Sequence, residues 1–496
     1  MKKNKIFIVV AIALLGLTTF GCKKYLDVNK NPNEPQTVTI DLALPGAEAN
    51  IANALGYNFA VFGGFWAQYW TQSPSASQYR TVDSYTPAST DMDNSWTMLY
   101  SGALQNLEFV KTQATAQQEY NYSGIAKLLE AYTFQVLTDN FGDIPYSEAL
   151  NISQNITSPK YDKQAAIYDG IIAMAKDGLA DIAKNSKVTP GTDDLIYGGN
   201  MTNWTAFGNT LLLKMYLRLS DVNASKAQAG ITALAGATFI TDGQTAKVSF
   251  STTGGNQNPL YAAAAGPILN GVQNLYCSST IVDTMNAYGP QGNYDLRADA
   301  FFYSTAAYAG IPQGGYSTNT TSGKAYPSAF VGGDAGNTQS ATAPVIFMSD
   351  YESYFLQAEA MARGWLSGTA ATAYAGGIQA SFNYCNKGTI SAYAEEIDTL
   401  ATYYLAVKPF PASGLTAQLQ AIALQKWIAF CGNQNCEAWI EQRRFDYPNL
   451  PLSKAANGIT GGKLPGRFPY PDVEVTENRN FPGQPAITAK VWWDIK

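Results

Sequence analysis

Histidine is absent from the 496 residues, and charged residues are scarce at 14%. Without an imidazole there is no Ser-His-Asp or Cys-His catalysis and no His-ligated metal. The net charge is −6; without Lys2, Lys3 and Lys5 it is −9, from 29 basic and 38 acidic residues. Phosphate neutralisation by Lys and Arg supplies most nucleic-acid affinity, so such a chain is a poor nucleic-acid binder. Cysteine is also rare, and no Cys-x-x-Cys spacing marks a zinc site. A Gly-x-Ser-x-Gly elbow and a phosphate loop ending in Gly-Lys-Ser/Thr are missing. A pair of carboxylates about 5–10 Å apart, all that a glycosidase needs, is the enzyme reading that remains open. The residues present make an ordinary globular composition, 46% hydrophobic, with 31 tyrosines among 62 aromatics. The polar surface must therefore be mostly Asn, Gln, Ser, Thr and Tyr.

The N-terminus reads as an export signal. Lys2, Lys3 and Lys5 form a basic region, and residues 6–20 are an uncharged, mostly apolar run. That run is too short for a membrane span, which needs about 20 residues. It ends Thr19-Phe20-Gly21-Cys22. A small residue then cysteine directly after such a run resembles a bacterial lipoprotein processing site, with Cys22 as the lipid acceptor. Residues 1–21 are expected to be a signal peptide and 22–36 a polar, lipidated tether. Residues 37–496 are then one domain. Export implies an oxidising compartment. The remaining cysteines could pair as Cys431–Cys436 and Cys277–Cys385, or stay free and buried.

After the tether the pattern is helical, and the expected fold class is all-α, with helix pairs stacked on each other. Pro45 falls where a first helical turn tolerates it. Ile125, Leu128, Leu129, Tyr132 and Val136 share one face, as do Trp204, Phe207, Leu211, Met215 and Leu219, and the series Tyr351 to Trp365. Leu415 to Phe430 is apolar on more than one face and should be buried. Strand-like alternation is brief, as at Ala246 to Phe250. Residues 251–344 differ, being rich in Gly, Ser, Thr, Asn, Tyr and Pro. Tyr276, Tyr288, Tyr303, Tyr308, Tyr316 and Tyr326 argue against disorder, so an ordered, loop-rich insertion is expected.

Several segments together resemble the SusD/RagB family of outer-membrane nutrient-binding lipoproteins, in its SusD-like branch. They are Lys24-Tyr-Leu-Asp-Val-Asn29 with Asn31-Pro-Asn33, Asp139-Asn-Phe-Gly-Asp-Ile-Pro-Tyr-Ser-Glu-Ala149, and Asp194-Leu-Ile-Tyr-Gly-Gly199 leading into Trp204. Gln425-Lys-Trp-Ile428, Glu437-Ala-Trp439, Arg443-Arg444, Arg467-Phe-Pro-Tyr-Pro471 and Val491-Trp-Trp-Asp494 complete the set. The resemblance implies tetratricopeptide-like helix pairs beside an irregular half that carries the ligand site. It also implies no catalysis and no cofactor. It implies a lipid-anchored protein, at the outer membrane and cell surface, that caps a SusC-like TonB-dependent transporter and passes it a nutrient, most often a glycan.

The residues fit a binder of neutral, hydroxyl-rich ligands. An aromatic ring packs on the apolar face of a sugar, and Asn, Gln, Asp or Arg bond its hydroxyl rim. Trp66, Gln68, Tyr69 and Trp70 supply both kinds of group, and residues 74–87 follow as a polar loop with Tyr79 and Arg80. If residues 62–70 are helical, Trp66, Tyr69 and Trp70 share a face, which is otherwise a core stripe. Tyr69, Trp70 and Tyr79 should be the exposed ones, so Trp70→Ala or Tyr79→Ala should weaken binding without unfolding. Tyr316 and Tyr326 are the next candidates. Arg443 and Arg444 with Glu437, Glu441 and Asp446 read as a surface ion-pair cluster, as do Asp350, Glu352 and Glu359. A glycoside hydrolase and a helical scaffold binding only proteins are the competing functions.

Overall fold

The computed structural model describes residues 38–151, 155–287, 294–386, 397–456 and 458–496. The expected signal peptide, Cys22, the tether and the motif at 24–33 lie outside them. The folded unit is Ile40–Lys496. Its helices are α1 (Ile40–Ala54), α2 (Ala60–Trp66), α3 (Gln105–Gln117), α4 (Tyr120–Phe141), α5 (Gln164–Ile182) and α6 (Met201–Arg218). After them come α7 (Ser279–Ala287), α8 (Asp350–Ala362), α9 (Ala370–Asn386), α10 (Leu415–Ala429) and α11 (Asn435–Phe445). Consecutive helices pack on each other: α3 on α4, α4 on α5, α5 on α6, α8 on α9 and α10 on α11. This is the expected all-α arrangement. Strands are short, namely β1 (Trp70–Gln72), β2 (Ile144–Pro145), β3 (Tyr161–Asp162), β4 (Ala246–Val248), β5 (Leu275–Cys277), β6 (Phe302–Tyr303), β7 (Tyr326–Pro327) and β8 (Val345–Met348). They pair two by two, all antiparallel.

The helical faces bury as their spacing requires, and α4 goes further. All but two of its 22 residues are buried, which suits a helix packed on three sides. Asn200 and Ser349 cap α6 and α8, each accepting a backbone N–H three residues on, at 3.1 Å. Pro45 is the sixth residue of α1, not in its first turn, because the helix starts at Ile40. In α10 only the second half, from Ile422, is buried; Leu415 is exposed.

The charged clusters, Asp446 apart, are not on the surface. Lys214 bridges Glu352 (3.0 Å) and Glu437 (2.9 Å), and Arg218 bridges Glu437 (2.7 Å), Glu441 and Asp139 (3.2 Å). Lys426 meets Glu441 at 2.5 Å, and Arg444 joins Glu441 (2.7 Å) to Glu359 (2.6 Å), which also holds Arg363 (3.0 Å). Five bases thus face five acids across α4, α6, α8, α10 and α11. Burial alone would raise Glu441, but Arg444, Lys426 and Arg218 outweigh it and hold the carboxyl well below its usual range. Periodicity could not distinguish this from a solvated face, since charges at spacings of three and four look alike in both.

The resembling segments build this interior. Asp139 accepts from Tyr168 Oη (2.6 Å) and Trp493 Nε1 (2.7 Å), tying the C-terminus to α4. Arg443 donates to the carbonyls of Gly466 (2.7 Å) and Asp139 (3.0 Å). Asp194 folds its own loop by accepting from the N–H groups of Ile196, Tyr197 and Gly199 and from Trp204 Nε1. Trp439 stacks on Phe468, ring centroids 5.0 Å apart and 7° from parallel. These residues hold the fold together; none of them forms the exposed aromatic surface described below.

Cys277, Cys385, Cys431 and Cys436 are all free and buried, the alternative to the two possible disulfides. Cys436 is the second residue of α11, and its thiol donates to Asn140 Oδ1 (3.3 Å) on α4, not towards Cys431. Among the described residues no helix is long and apolar enough to cross a membrane.

Candidate functional site

The stretch carrying most of the expected ligand residues turns inward. Helix α2 ends at Trp66, Gln68 takes a left-handed conformation (φ 59°), and Trp70 opens β1. Trp66, Tyr69 and Trp70 therefore share no helical face. All three are buried, as are Gln68 and Tyr79. The polar tips of Trp66, Gln68, Tyr69 and Tyr79 are occupied from within. Trp66 Nε1 donates to Val82 O (3.1 Å), Tyr69 Oη to Trp427 O, and Tyr79 Oη to Ala264 O (3.0 Å). Gln68 donates to Pro451 O and accepts from Thr280 Oγ1 (2.6 Å). The Trp70 ring lies against Gly64, where an added Cβ would sit 2.5 Å from it. The polar loop that follows does not lift these rings to the surface, because β1 pairs with β5 and draws them under the loop-rich segment.

What that segment exposes is a group of tyrosines. Strand pairing sets Tyr303 on β6 opposite Tyr326 on β7, with ring centroids 5.1 Å apart. Cys277 N donates to Ala325 O (2.9 Å), which brings β5 beside β7 and the Tyr276 ring to 5.9 Å from Tyr326. Tyr303 is 46% exposed, Tyr326 half-buried and Tyr276 largely covered. The three rings form a graded platform from floor to rim. Tyr326 was expected from sequence; Tyr303 and Tyr276 were noted there only as tyrosines of an ordered loop. Their positions are 23 and 50 residues away from Tyr326, and only strand register joins them.

A second exposed feature adjoins through β1. The Arg80 guanidinium lies 5.0 Å from the centre of the half-buried Tyr316 ring. Beneath them Asp83 is fully buried and accepts from Thr71 Oγ1 (2.7 Å), Gln72 N (3.0 Å) and Gln313 Nε2 (2.6 Å). Thr71 is also the cross-strand partner of Tyr276 and accepts from Gly314 N (3.1 Å). Asp83 and Thr71 thus fix the Tyr316 loop relative to β5. Burial pushes the Asp83 carboxyl up to about 6, even though its hydrogen-bond donors oppose the rise. Burial, then the Asp334 carboxylate and the two neighbouring tyrosines, push Tyr326 up to about 12. Its hydroxyl therefore stays protonated at neutral pH and can both donate and accept. Flat phenol faces with hydroxyl tips and one guanidinium can stack on an apolar face and bond a polar rim.

Among the described residues no group of three or more Cys, Asp or Glu is placed to hold a metal ion. No curated protein sequence matches the chain. Solved structures do. A chitin-binding protein superposes with a TM-score of 0.78 at 22% identity, over 92% of this chain and 100% of the other. A SusD homologue from Bacteroides uniformis gives 0.74 at 23% over 92% and 99%. A chitin-binding SusD homologue from Flavobacterium johnsoniae gives 0.72 at 21% over 91% and 99%. At such identities the likeness establishes a common fold. The sequence itself matches the SusD-like family, described as starch-binding and associating with the outer membrane, over residues 32–471. With that match spanning most of the chain and its segments building the core, the chain belongs to the SusD/RagB family, in its SusD-like branch.

Proposed function

We propose that this protein captures an oligosaccharide or polysaccharide at the outer membrane and delivers it, chemically unchanged, to a SusC-like TonB-dependent transporter that it caps. The observation that carries the reading is the platform of Tyr276, Tyr326 and Tyr303, with Arg80 and Tyr316 beside it, on the loop-rich half. The exposed Tyr303 ring and the half-buried Tyr326 ring suit stacking on sugar faces, with the covered Tyr276 ring packed against Tyr326. The starch-binding description of the family and the chitin-binding relatives support the same ligand class. Cys22 is the proposed lipid anchor, and the tether 22–36 lets the body swing on the barrel while keeping its local concentration high.

The test is binding of the purified mature chain to starch, chitin and hemicellulose oligosaccharides on an array. The best ligand is then titrated against Tyr303→Ala and Tyr326→Ala. Each lost stacking contact is worth about 0.5–1.5 kcal/mol, so each variant should bind about 2- to 12-fold more weakly while keeping its melting temperature. Wild-type affinity in both variants would remove the platform from the site. Release of new reducing ends by wild type would make the protein a glycosidase instead.

A further inference from the structure

A pocket of about 230 Å³ lies where residues 482–492 cross the turn after α4 and the start of α5. It shares no residue with the tyrosine platform. Arg467 lines it and is only 8% exposed. The buried arginines Arg218, Arg297 and Arg444 each meet a carboxylate. Among the described residues Arg467 meets none. Its Nη2 donates to Phe141 O, and its guanidinium lies 4.8 Å from the centre of the Tyr470 ring. A carbonyl and a ring offer partial charges, whereas a buried full charge is ordinarily paired. Arg443 likewise touches no carboxylate, but it lies outside the pocket and both its Nη atoms donate to carbonyls, one of them Gly466 O.

The other polar groups of the lining are spent. Asp143 pairs with Lys163 (2.8 Å) and accepts from Gln164 N (2.9 Å), and Lys490 pairs with Asp494 (3.1 Å). Gln164 donates to Thr138 O (2.7 Å) and accepts from Trp492 N (2.7 Å). What remains is one end of Arg467. Its Nε is sealed in the interior, but Nη1 has no hydrogen-bond partner among the described residues. Gly142, also in the lining, has φ 81°, and a Cβ there would stand 3.3 Å from Nη1. Glycine at this position thus leaves the guanidinium uncovered. A guanidinium edge is matched by an oxyanion, and a single unpaired charge by a carboxylate. The volume is about seven times the roughly 30 Å³ that one water takes, so a bare carboxylate would leave it mostly unfilled. Pro482, Pro485, Val491 and Trp492 complete the wall with apolar surface, which suits the carbons of a ring.

We propose that this pocket binds a sugar acid, with its carboxylate on Arg467 and its ring against Trp492. The proposal goes beyond the neutral-glycan reading and rests on it only for the saccharide class. The purified mature chain is titrated by calorimetry with glucuronate, galacturonate, glucose, acetate and sulfate. One uronate should bind saturably, and glucose at least tenfold more weakly, the worth of a hydrogen bond to a charged group. Acetate and sulfate should bind more weakly than the uronate. Arg467→Gln should lose at least tenfold in uronate affinity. Arg467 also holds Phe141 O, so Pro482, on the exposed rim, supplies a test that leaves the interior alone. Pro482→Glu should bind the uronate about two- to fivefold more weakly than the neutral Pro482→Gln at low salt. Arg80→Gln, on the platform, should leave uronate affinity unchanged. Absence of saturable uronate binding, glucose binding as tightly, wild-type affinity in Arg467→Gln, or equal affinity in the two Pro482 variants would overturn the proposal. Acetate or sulfate binding as tightly as the uronate would make this a plain oxyanion site and overturn the sugar acid. Loss in Arg80→Gln alone would assign the uronate to the platform and overturn the pocket. The platform stands through any of the other failures if Tyr326→Ala still weakens a neutral oligosaccharide.

Discussion

Five side chains that looked suited to a sugar face, Trp66, Gln68, Tyr69, Trp70 and Tyr79, are core residues, and the polar tips of Trp66, Gln68, Tyr69 and Tyr79 are satisfied internally. The expectation for Trp70→Ala therefore reverses. Emptying a fully buried indole site should destabilise the fold by about 3–5 kcal/mol, read as a lowered urea midpoint, before any effect on binding is measurable. A folded, stable Trp70→Ala would contradict the burial. Asp83 gives a pH signature. Its folded pKa, about 6, lies above its ordinary 3.8, so the unfolded chain releases this proton at lower pH than the folded one. The stability it contributes is full below about pH 3.8 and is lost as pH rises through 6. Asp83→Asn abolishes that loss. Relative to wild type the variant should gain on the order of 2–3 kcal/mol between pH 4 and pH 7 in urea titrations, whatever its absolute stability. A pH-independent difference would show that Asp83 is not so perturbed.

At the scale of elements, the decisive event is the end of α2. The chain spends three residues, Ala67 to Tyr69, turning a helix into β1, and Gln68 absorbs the reversal in a left-handed conformation. The approach of α2 to α11 is as tight as backbone allows. A Cβ at Gly63 would lie 2.4 Å from Cys436 N, a backbone atom that cannot move aside without shifting α11. Gly63→Ala should accordingly cost about 1–3 kcal/mol through overpacking, although alanine is the better helix former. Thermal unfolding measures it, and a stabilised variant would mean that the helices separate freely. On the other side, β5, β6 and β7 are two or three residues long, yet their pairing sets the spacing of the tyrosine platform.

For the molecule as a whole, much of the scarce charge is spent inside. Arg218 alone contacts Asp139, Glu437 and Glu441 with its side chain fully buried. Replacing it with the similarly sized, neutral methionine leaves three carboxylates facing one another. Arg218→Met should lose about 3–5 kcal/mol, and partly recover it when Asp139→Asn is added, because Glu437 and Glu441 keep Lys214, Lys426 and Arg444 while Asp139 loses its ion-pair partner. Strict additivity of the two changes would argue against one coupled network. With its largest ion-pair network internal, more of the outer surface is left to neutral polar side chains, which suits a neutral polyhydroxyl ligand. At the same scale, Cys22→Ser should release the protein from the membrane fraction and lower nutrient uptake far more than solution affinity. Equal losses in both would argue against a tethered cap.

The sequence by itself determined the helical class and the family, because helical periodicity and the order of short motifs are local properties that survive without coordinates. It also limited the chemistry, since a missing histidine stays missing in any fold. Only the tertiary structure decided which aromatics face solvent and which charges are buried. Trp70 and Tyr303 each end an aromatic run and lead into two polar residues, Thr71-Gln72 and Ser304-Thr305, and nothing within ten residues of either says that β1 will be covered and β6 will not. That difference comes from pairings across hundreds of residues, Trp70 with Cys277 and Gln68 with Pro451, and burial is a property of such partners rather than of the residue itself.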